Sequence, residues 1–234
     1  MYGHEVYTSN GKLLLNPYEE SLMYWGRKYI TPQSLEIWTS VFNIPRSENA
    51  CLFFKGDGGD TYLHTGFSNQ TNIQVQVRKV TTNAPAPAGG WVYVFVRPTS
   101  IPLEGYGSAF YGEGGRLQYH TTRPPLQVRD ILSGLSIEAG EVRNVPQGSA
   151  VLVKKFGTSR SLENPNSPDS IYRSTSYHAI SYNSGTEVGI GRAVEGFVRG
   201  GSPNTWTNFN SGSIVSVPTI DTNFYNQINS RGGY

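Results

Sequence analysis

Apolar and polar residues alternate along much of this chain, and no convincing stripe recurs at the 3.6-residue spacing of a helix. The cleanest stretch is Asn72-Ile73-Gln74-Val75-Gln76-Val77-Arg78-Lys79-Val80. Successive strand side chains point to opposite faces, so this predicts a strand with Ile73, Val75 and Val77 inward and Gln74, Gln76 and Arg78 toward solvent. Ser34 to Val41 alternates in the same way. Ala50 to Lys55 and Trp91 to Val96 are more continuously apolar over strand-length runs, which predicts strands buried on both faces. Ser149 to Phe156, Ile171 to Tyr182, Glu187 to Ala193 and Ile214 to Val217 are further predicted strands. Thr82 to Gly90 and the proline-containing Gly157 to Ser170 read as loops, and Pro124 to Leu135 has room for one short turn.

The opening is written twice. Tyr2 to Asn16 recurs as Tyr106 to His120; Tyr2 answers Tyr106 and Gly11 answers Gly115, an offset of 104 residues with no gap. Glu5-Val6-Tyr7 and Lys12-Leu13-Leu14-Leu15 flank Thr8-Ser9-Asn10-Gly11, and Asn-Gly between apolar runs predicts a β-hairpin. The second copy places Gly112-Glu113-Gly114-Gly115 at the same point, so both copies offer glycine where the turn needs a positive φ. Val41 to Pro45 answers Val142 to Pro146, Leu52 to Lys55 answers Val151 to Lys154, and Tyr93 to Arg97 loosely answers Val194 to Arg199. A repeat of this length predicts two copies of one folding unit.

The expected architecture is therefore all-β: two tandem homologous β-sandwich, or small barrel-like, domains plus a C-terminal extension. The first spans 1–99 and the second 104–200, joined by the proline-stiffened Arg97 to Pro102. Residues 201–234, rich in Asn, Ser and Gly, have no counterpart in the first copy. Their aromatics predict docking on the second domain or on a neighbouring subunit.

Composition narrows the function classes. With 27 Gly, 14 Pro, 12% aromatic and only 15% charged residues, the chain suits many short strands and is poor in surface-helix formers. The single cysteine, Cys51, excludes an internal disulfide, and its apolar neighbours predict an inert core thiol. A net charge of +2 with scattered Lys and Arg supplies no basic stripe, so no nucleic-acid partner is expected. No segment has the length of a membrane-spanning helix, and Met1 to Glu5 lacks the basic and apolar regions of a signal peptide. Synthesis in a cytoplasm without membrane insertion is the expectation, with the sequon Asn69-Gln70-Thr71 idle.

No catalytic constellation stands out. His4, His64, His120 and His178 lack metal-ligand spacing, and the repeat answers His4 with Ser108 and His120 with Asn16. Asp57-Gly58-Gly59-Asp60 reads as a glycine-rich hairpin loop rather than a cation loop. Gly189-Ile190-Gly191 precedes no helix and reads as a glycine-spaced strand. The carboxylates form no obvious hydrolytic pair. The reading is non-enzymatic, with no cofactor and no metal.

Surface recognition offers more. Tyr24-Trp25-Gly26-Arg27-Lys28-Tyr29 interleaves aromatic and basic residues where the second copy has Val128-Arg129-Asp130-Ile131. That difference marks Tyr24, Trp25, Arg27 and Tyr29 as candidate partner contacts of the first copy alone. Trp206, Phe209, Phe224 and Tyr225 are the corresponding candidates in the extension.

The motif Tyr-Gly-x-Glu-Val-Tyr-x-Ser-x-Gly-Lys-Leu-Leu-Leu, echoed by Tyr-Gly-x-x-Phe-Tyr-x-x-x-Gly-Arg-Leu, resembles small β-rich tail-associated proteins of tailed bacteriophages. It covers about fifteen residues of each copy. The resemblance implies a virion structural protein of the tail tip or fibre region that serves tail assembly, fibre attachment or contact with the host surface. It implies other phage tail proteins as partners, a symmetric homo-oligomer, a possible host glycan or receptor, and no catalytic residues. A carbohydrate- or receptor-binding module and a capsid decoration protein are the alternatives.

Overall fold

The computed structural model describes residues 6–7, 13–15, 22–32, 39–45, 50–58, 61–65, 72–79, 89–97, 107–121, 123–136, 141–163, 171–182, 186–199 and 214–228. In chain order the strands begin with β1 (Val6–Tyr7), β2 (Leu13–Leu15), β3 (Met23–Ile30), β4 (Thr39–Pro45), β5 (Cys51–Gly56) and β6 (Thr61–Thr65). β7 (Asn72–Lys79), β8 (Gly90–Val96), β9 (Ala109–Tyr111), β10 (Leu117–His120), β11 (Asp130–Ser136) and β12 (Val142–Asn144) follow. The rest are β13 (Ser149–Leu152), β14 (Lys155–Glu163), β15 (Ile171–Tyr182), β16 (Glu187–Arg199) and β17 (Ile214–Asp221), which leads into a short helix α1 (Thr222–Asn226).

These strands build two antiparallel sheets packed face to face. One is six-stranded in the order β11-β17-β13-β5-β8-β3. The other is seven-stranded, with the path β12-β16-β15-β6-β7-β4 and β14 paired to β15. The hairpins β1–β2 and β9–β10 stand as separate two-stranded sheets. The protein is all-β, as its alternation predicts.

The strand order reads symmetrically from the centre outward. β5 and β13 pair at the middle of the six-stranded sheet, flanked by β8 and β17 and then by the edges β3 and β11. β6 and β15 occupy the middle of the other sheet, flanked by β7 and β16 and then by β4 and β12. The two separate sandwiches expected for 1–99 and 104–200 are not confirmed, because both sheets run across that boundary. Residues 214–221, expected to lie in an appended extension, form a strand inside the six-stranded sheet. The loose match of Tyr93–Arg97 to Val194–Arg199 does not hold in position. Val194–Arg199 lies in β16 against β15, whereas the strand placed like β8 is β17.

The two hairpins repeat one register. Val6 pairs with Leu15 and Tyr7 with Leu13; 104 residues later Phe110 pairs with Tyr119 and Tyr111 with Leu117. Each carries its irregularity at the same place. In β10's hairpin the turn is a 3-10 turn over Glu113–Gly115, with Gly114 at φ 73° and Gly115 at φ 71°, the left-handed values that favour glycine. The corresponding turn of the first copy lies outside the described residues.

Alternation assigns the core. In β8 the valines Val92, Val94 and Val96 face the second sheet, while Trp91, Tyr93 and Phe95 face away from it. In β5, Leu52 and Phe54 point inward, and Cys51 and Phe53 point outward. The space between the sheets holds two clusters. One is built mainly from residues before 99, with Met23, Ile44, Val75 and Val77 among them. The other is built from residues after 130, including Leu135, Val151, Tyr177 and Val217. A third cluster covers the outer face of the six-stranded sheet. The apolar runs of β5 and β8 are thus buried on both faces, as predicted.

Two local expectations change. Gln74 and Gln76 are buried rather than solvent-facing, so the outer face of β7 is covered too. The stretch predicted as a loop from Gly157 continues as β14 to Glu163, held by antiparallel pairing to β15, while 164–170 lie outside the described residues.

Candidate functional site

Two regions gather the residues that recognition chemistry would use. The first is the aromatic outer face of the six-stranded sheet. Tyr24 from β3 and Phe95 from β8 are paired in register, and their rings stand 5.6 Å apart. Phe53 meets Phe95 edge-on at 5.6 Å. Tyr225 of α1 lies over this layer, 5.0 Å from both Tyr24 and Phe95.

α1 reaches that position because its start is fixed. The Asp221 carboxylate accepts from the Asn223 N–H at 2.9 Å, capping the first turn. Thr222 donates from both its N–H and its hydroxyl to the Gly148 carbonyl, each at 2.7 Å. Gly148 has φ 82°, and a Cβ there would come within 2.8 Å of the Asn223 side chain. The helix is therefore seated against a turn that glycine alone accommodates without strain.

Beyond the helix, Tyr225 ties down a crossing segment. Its hydroxyl accepts from the Gln127 N–H at 2.8 Å and donates to the Pro125 carbonyl at 3.0 Å. That segment also pairs with the start of β3, through Tyr24 N–H to Pro124 O at 2.9 Å and Leu126 N–H to Leu22 O at 2.7 Å. Asn226 accepts from Arg27 and, at 2.9 Å, from the Tyr93 hydroxyl. Arg27 stacks 4.5 Å over the Trp91 ring, and Tyr29 meets Trp91 edge-on at 5.3 Å.

Burial dominates the titration of these groups. It raises the hydroxyls of Tyr24 and Tyr93 above the usual tyrosine range and pushes Tyr225 up to about 12. Tyr29 is raised chiefly by its hydrogen bond with Asp57. A layer of neutral, closely packed rings is suited to holding chain segments together; it presents no activated nucleophile. Among the described residues no group of three or more His, Cys, Asp or Glu is placed to hold a metal ion. No described helix is long and apolar enough to cross a membrane.

Five of the expected contact residues, Tyr24, Arg27, Tyr29, Phe224 and Tyr225, are thereby brought together in one place, though not in the role expected of them all. Tyr24 and Tyr225 are internal, at 0% and 1% exposure, because each fills the aromatic layer and stacks on the other. Trp25 is half-buried against the first inter-sheet cluster, and its carbonyl accepts from Arg123 at 2.5 Å. Arg27 is half-buried under Asn226. Tyr29 and Phe224 are exposed, and Phe224 rests edge-on against Tyr225 at 5.0 Å. Trp206 and Phe209 lie outside the described residues. Sequence reasoning did not single out Phe53, Trp91, Tyr93, Phe95 or Asn226; the alternation of aromatics with valines in β8 is the signal that marks its outer face.

The second region is the β9–β10 hairpin. Leu117 and His120 are buried at its base, and Tyr119 packs on the cluster of the first half. Ser108 and Thr121 close the base through Thr121 N–H to Ser108 O at 3.0 Å and Ser108 N–H to Thr121 Oγ1 at 2.9 Å. Toward the turn Phe110, stacked 5.8 Å from Tyr119, is 40% exposed, and Tyr111 is 55% exposed. No known protein family, no curated protein and no solved structure matches this chain.

Proposed function

We propose that this protein is a non-enzymatic structural component of a bacteriophage tail, at the tip or the fibre base, mounted in several symmetric copies. The observation that carries this reading is the glycine-aromatic hairpin, which resembles tail-associated proteins in sequence and occurs twice in the chain with one register. A duplicated hairpin outside the main sheets supplies two equivalent attachment elements on one body. The low charge of the chain, 15% Asp, Glu, Lys and Arg, suits dense packing against identical neighbours.

In this reading the two sequence copies are one ancestral unit fused edge to edge. Each half keeps its own inter-sheet cluster, and the aromatic outer layer locks the joint.

The test is to locate the protein in purified particles of the phage that encodes it. Mass spectrometry of separated tails and heads, with antibody labelling of intact virions, should find it at the distal tail. Labelling of the head lattice would turn the reading to capsid decoration, and absence from particles would end the virion reading.

A further inference from the structure

We propose that the outer face of the six-stranded sheet carries a shelf for a neutral sugar, which stacks on the Tyr29 ring with its hydroxyls bonded to Lys55 and Asp57. The inference concerns the isolated protein and does not rest on a place in a tail.

Strand register sets the shelf. Tyr29 of β3 and Lys55 of β5 both pair with Trp91 of β8, so the three form one cross-strand row on the outer face. One step further along, the Asp57 N–H donates to the Gly89 carbonyl at 2.9 Å. The Tyr29 phenol lies over Gly89 and hydrogen-bonds the Asp57 side chain. A Cβ at Gly89 would come within 2.4 Å of the Tyr29 hydroxyl, so the ring rests there because residue 89 is glycine. Trp91 meets the same ring at 5.3 Å with the planes 71° apart. Held in these three ways, Tyr29 is still 39% exposed. A ring ordered in advance binds without the cost of ordering itself.

The fold does not demand rings at this place. The second half answers Tyr29 and Trp91 with Ser133 and Ser216, whose hydroxyls meet at 3.4 Å. Two small side chains suffice there, so packing does not account for the aromatic pair of the first half.

Size and polarity select the ligand. Among the described residues of β3, β5 and β8, Tyr29 alone is an exposed large apolar side chain, and Asn226 of α1 closes the shelf over Tyr93. A stable protein partner needs about 800 Å² from each side, far more than one ring offers. With Trp91 turned away from the Tyr29 plane, the floor is one ring wide, which matches one pyranose. Lys55 supplies donors and Asp57 acceptors, and a sugar hydroxyl is both at once. Their charges are opposite, and Arg27 is already engaged by Asn226 and Trp91, so no excess charge selects an anion.

The experiment titrates glucose, galactose, mannose and N-acetylglucosamine, each to high millimolar concentration, into the full chain. Sorbitol, which has hydroxyls but no ring, and glucuronate are the controls. Amide and indole NMR signals are followed, with Trp91 identified by its absence from a Trp91→Phe variant. At least one neutral sugar should shift the signals of Trp91, Asp57 and Gly89 saturably, sorbitol should shift none, and glucuronate should bind no tighter. Tyr29→Ser, which copies the residue of the second half, should weaken binding about tenfold or more, and Tyr29→Phe, which keeps the ring, should retain it. No shift with any of the four sugars overturns the proposal. So do equal shifts with sorbitol, tighter binding of glucuronate, or unchanged binding by a Tyr29→Ser variant whose circular dichroism matches the parent. Concentration-dependent broadening of the same signals without sugar would assign the shelf to a second copy of the chain instead.

Discussion

Phe53 stands directly opposite Leu152 in the antiparallel pair of β5 and β13, and the two are each other's counterparts in the sequence repeat. A residue paired with its own counterpart lies on a local two-fold axis. The flanking contacts agree: Val151 pairs with Phe54, and Val153 N–H donates to Leu52 O at 2.8 Å. The outer strands agree as well. Arg27 pairs with Tyr93 on β8 and Ile131 with Pro218 on β17, and Arg27 and Ile131 are again 104 residues apart. The joint is thus an edge-to-edge pairing of strands rather than a linker between finished domains.

Separating the halves should therefore expose two sheet edges on each. Fragments 1–103 and 104–234 are expected to aggregate when expressed singly and to co-purify as a one-to-one complex when expressed together. Two soluble monomers that ignore each other would refute the edge joint.

The Tyr225 hydroxyl fastens α1 to the crossing segment with two hydrogen bonds. Tyr225→Phe leaves the Gln127 N–H and the Pro125 carbonyl without that partner, and should cost about 1–3 kcal/mol in urea unfolding. Phe224→Ser, at an exposed position one residue earlier, should cost about 1 kcal/mol or less. Equal losses at both positions would mean that α1 is held by bulk packing alone.

Tyr24 predicts the opposite sign. Its hydroxyl is fully buried and finds no hydrogen-bond partner among the described residues. Removing that oxygen with Tyr24→Phe should be neutral or stabilise the fold by about 1–2 kcal/mol, while Tyr24→Ala should destabilise it by about 3–5 kcal/mol. A clear loss of stability in the phenylalanine variant would reveal a hydrogen bond to the hydroxyl.

Alkali should unfold the protein through the same layer. Burial raises the hydroxyls of Tyr24, Tyr93 and Tyr225 above the ordinary tyrosine value of 10.0. The unfolded chain then loses those protons first, so the stability linked to them is complete below pH 10 and is lost as pH rises toward 12 for Tyr225. Absorbance at 295 nm should show a cooperative step above pH 10 that coincides with loss of circular dichroism. Smooth titration of all tyrosines near pH 10 in folded protein would contradict this burial.

Burial also pushes the Cys51 thiol up, to about 11 from 9.0. At pH 8 its thiolate fraction is about a hundredfold below that of an ordinary thiol. Ellman's reagent should accordingly react about a hundredfold more slowly than with free cysteine, and at the ordinary rate in urea. Rapid reaction with the folded protein would place the thiol in solvent.

Much of this architecture was legible from local pattern alone. Period-two alternation located β7, and the strand expected over Ile171 to Tyr182 forms as β15 with those bounds. Continuous apolar runs identified β5 and β8 as buried on both sides, and glycine at the repeated turn matched its positive φ. These features depend on the conformational preferences of neighbouring residues, which a sequence displays directly. Tertiary structure alone decided that Phe53 meets Leu152, that Ile214–Asp221 enters the sheet beside β13, and that Tyr24 and Tyr225 cover each other instead of facing solvent. Strand edges join through backbone N–H and C=O groups that are the same in every residue, so the chain does not announce which edges will meet. Nor does an aromatic side chain reveal whether its apolar face will be covered by a partner or by a distant turn of its own chain, because both remove the same surface from water.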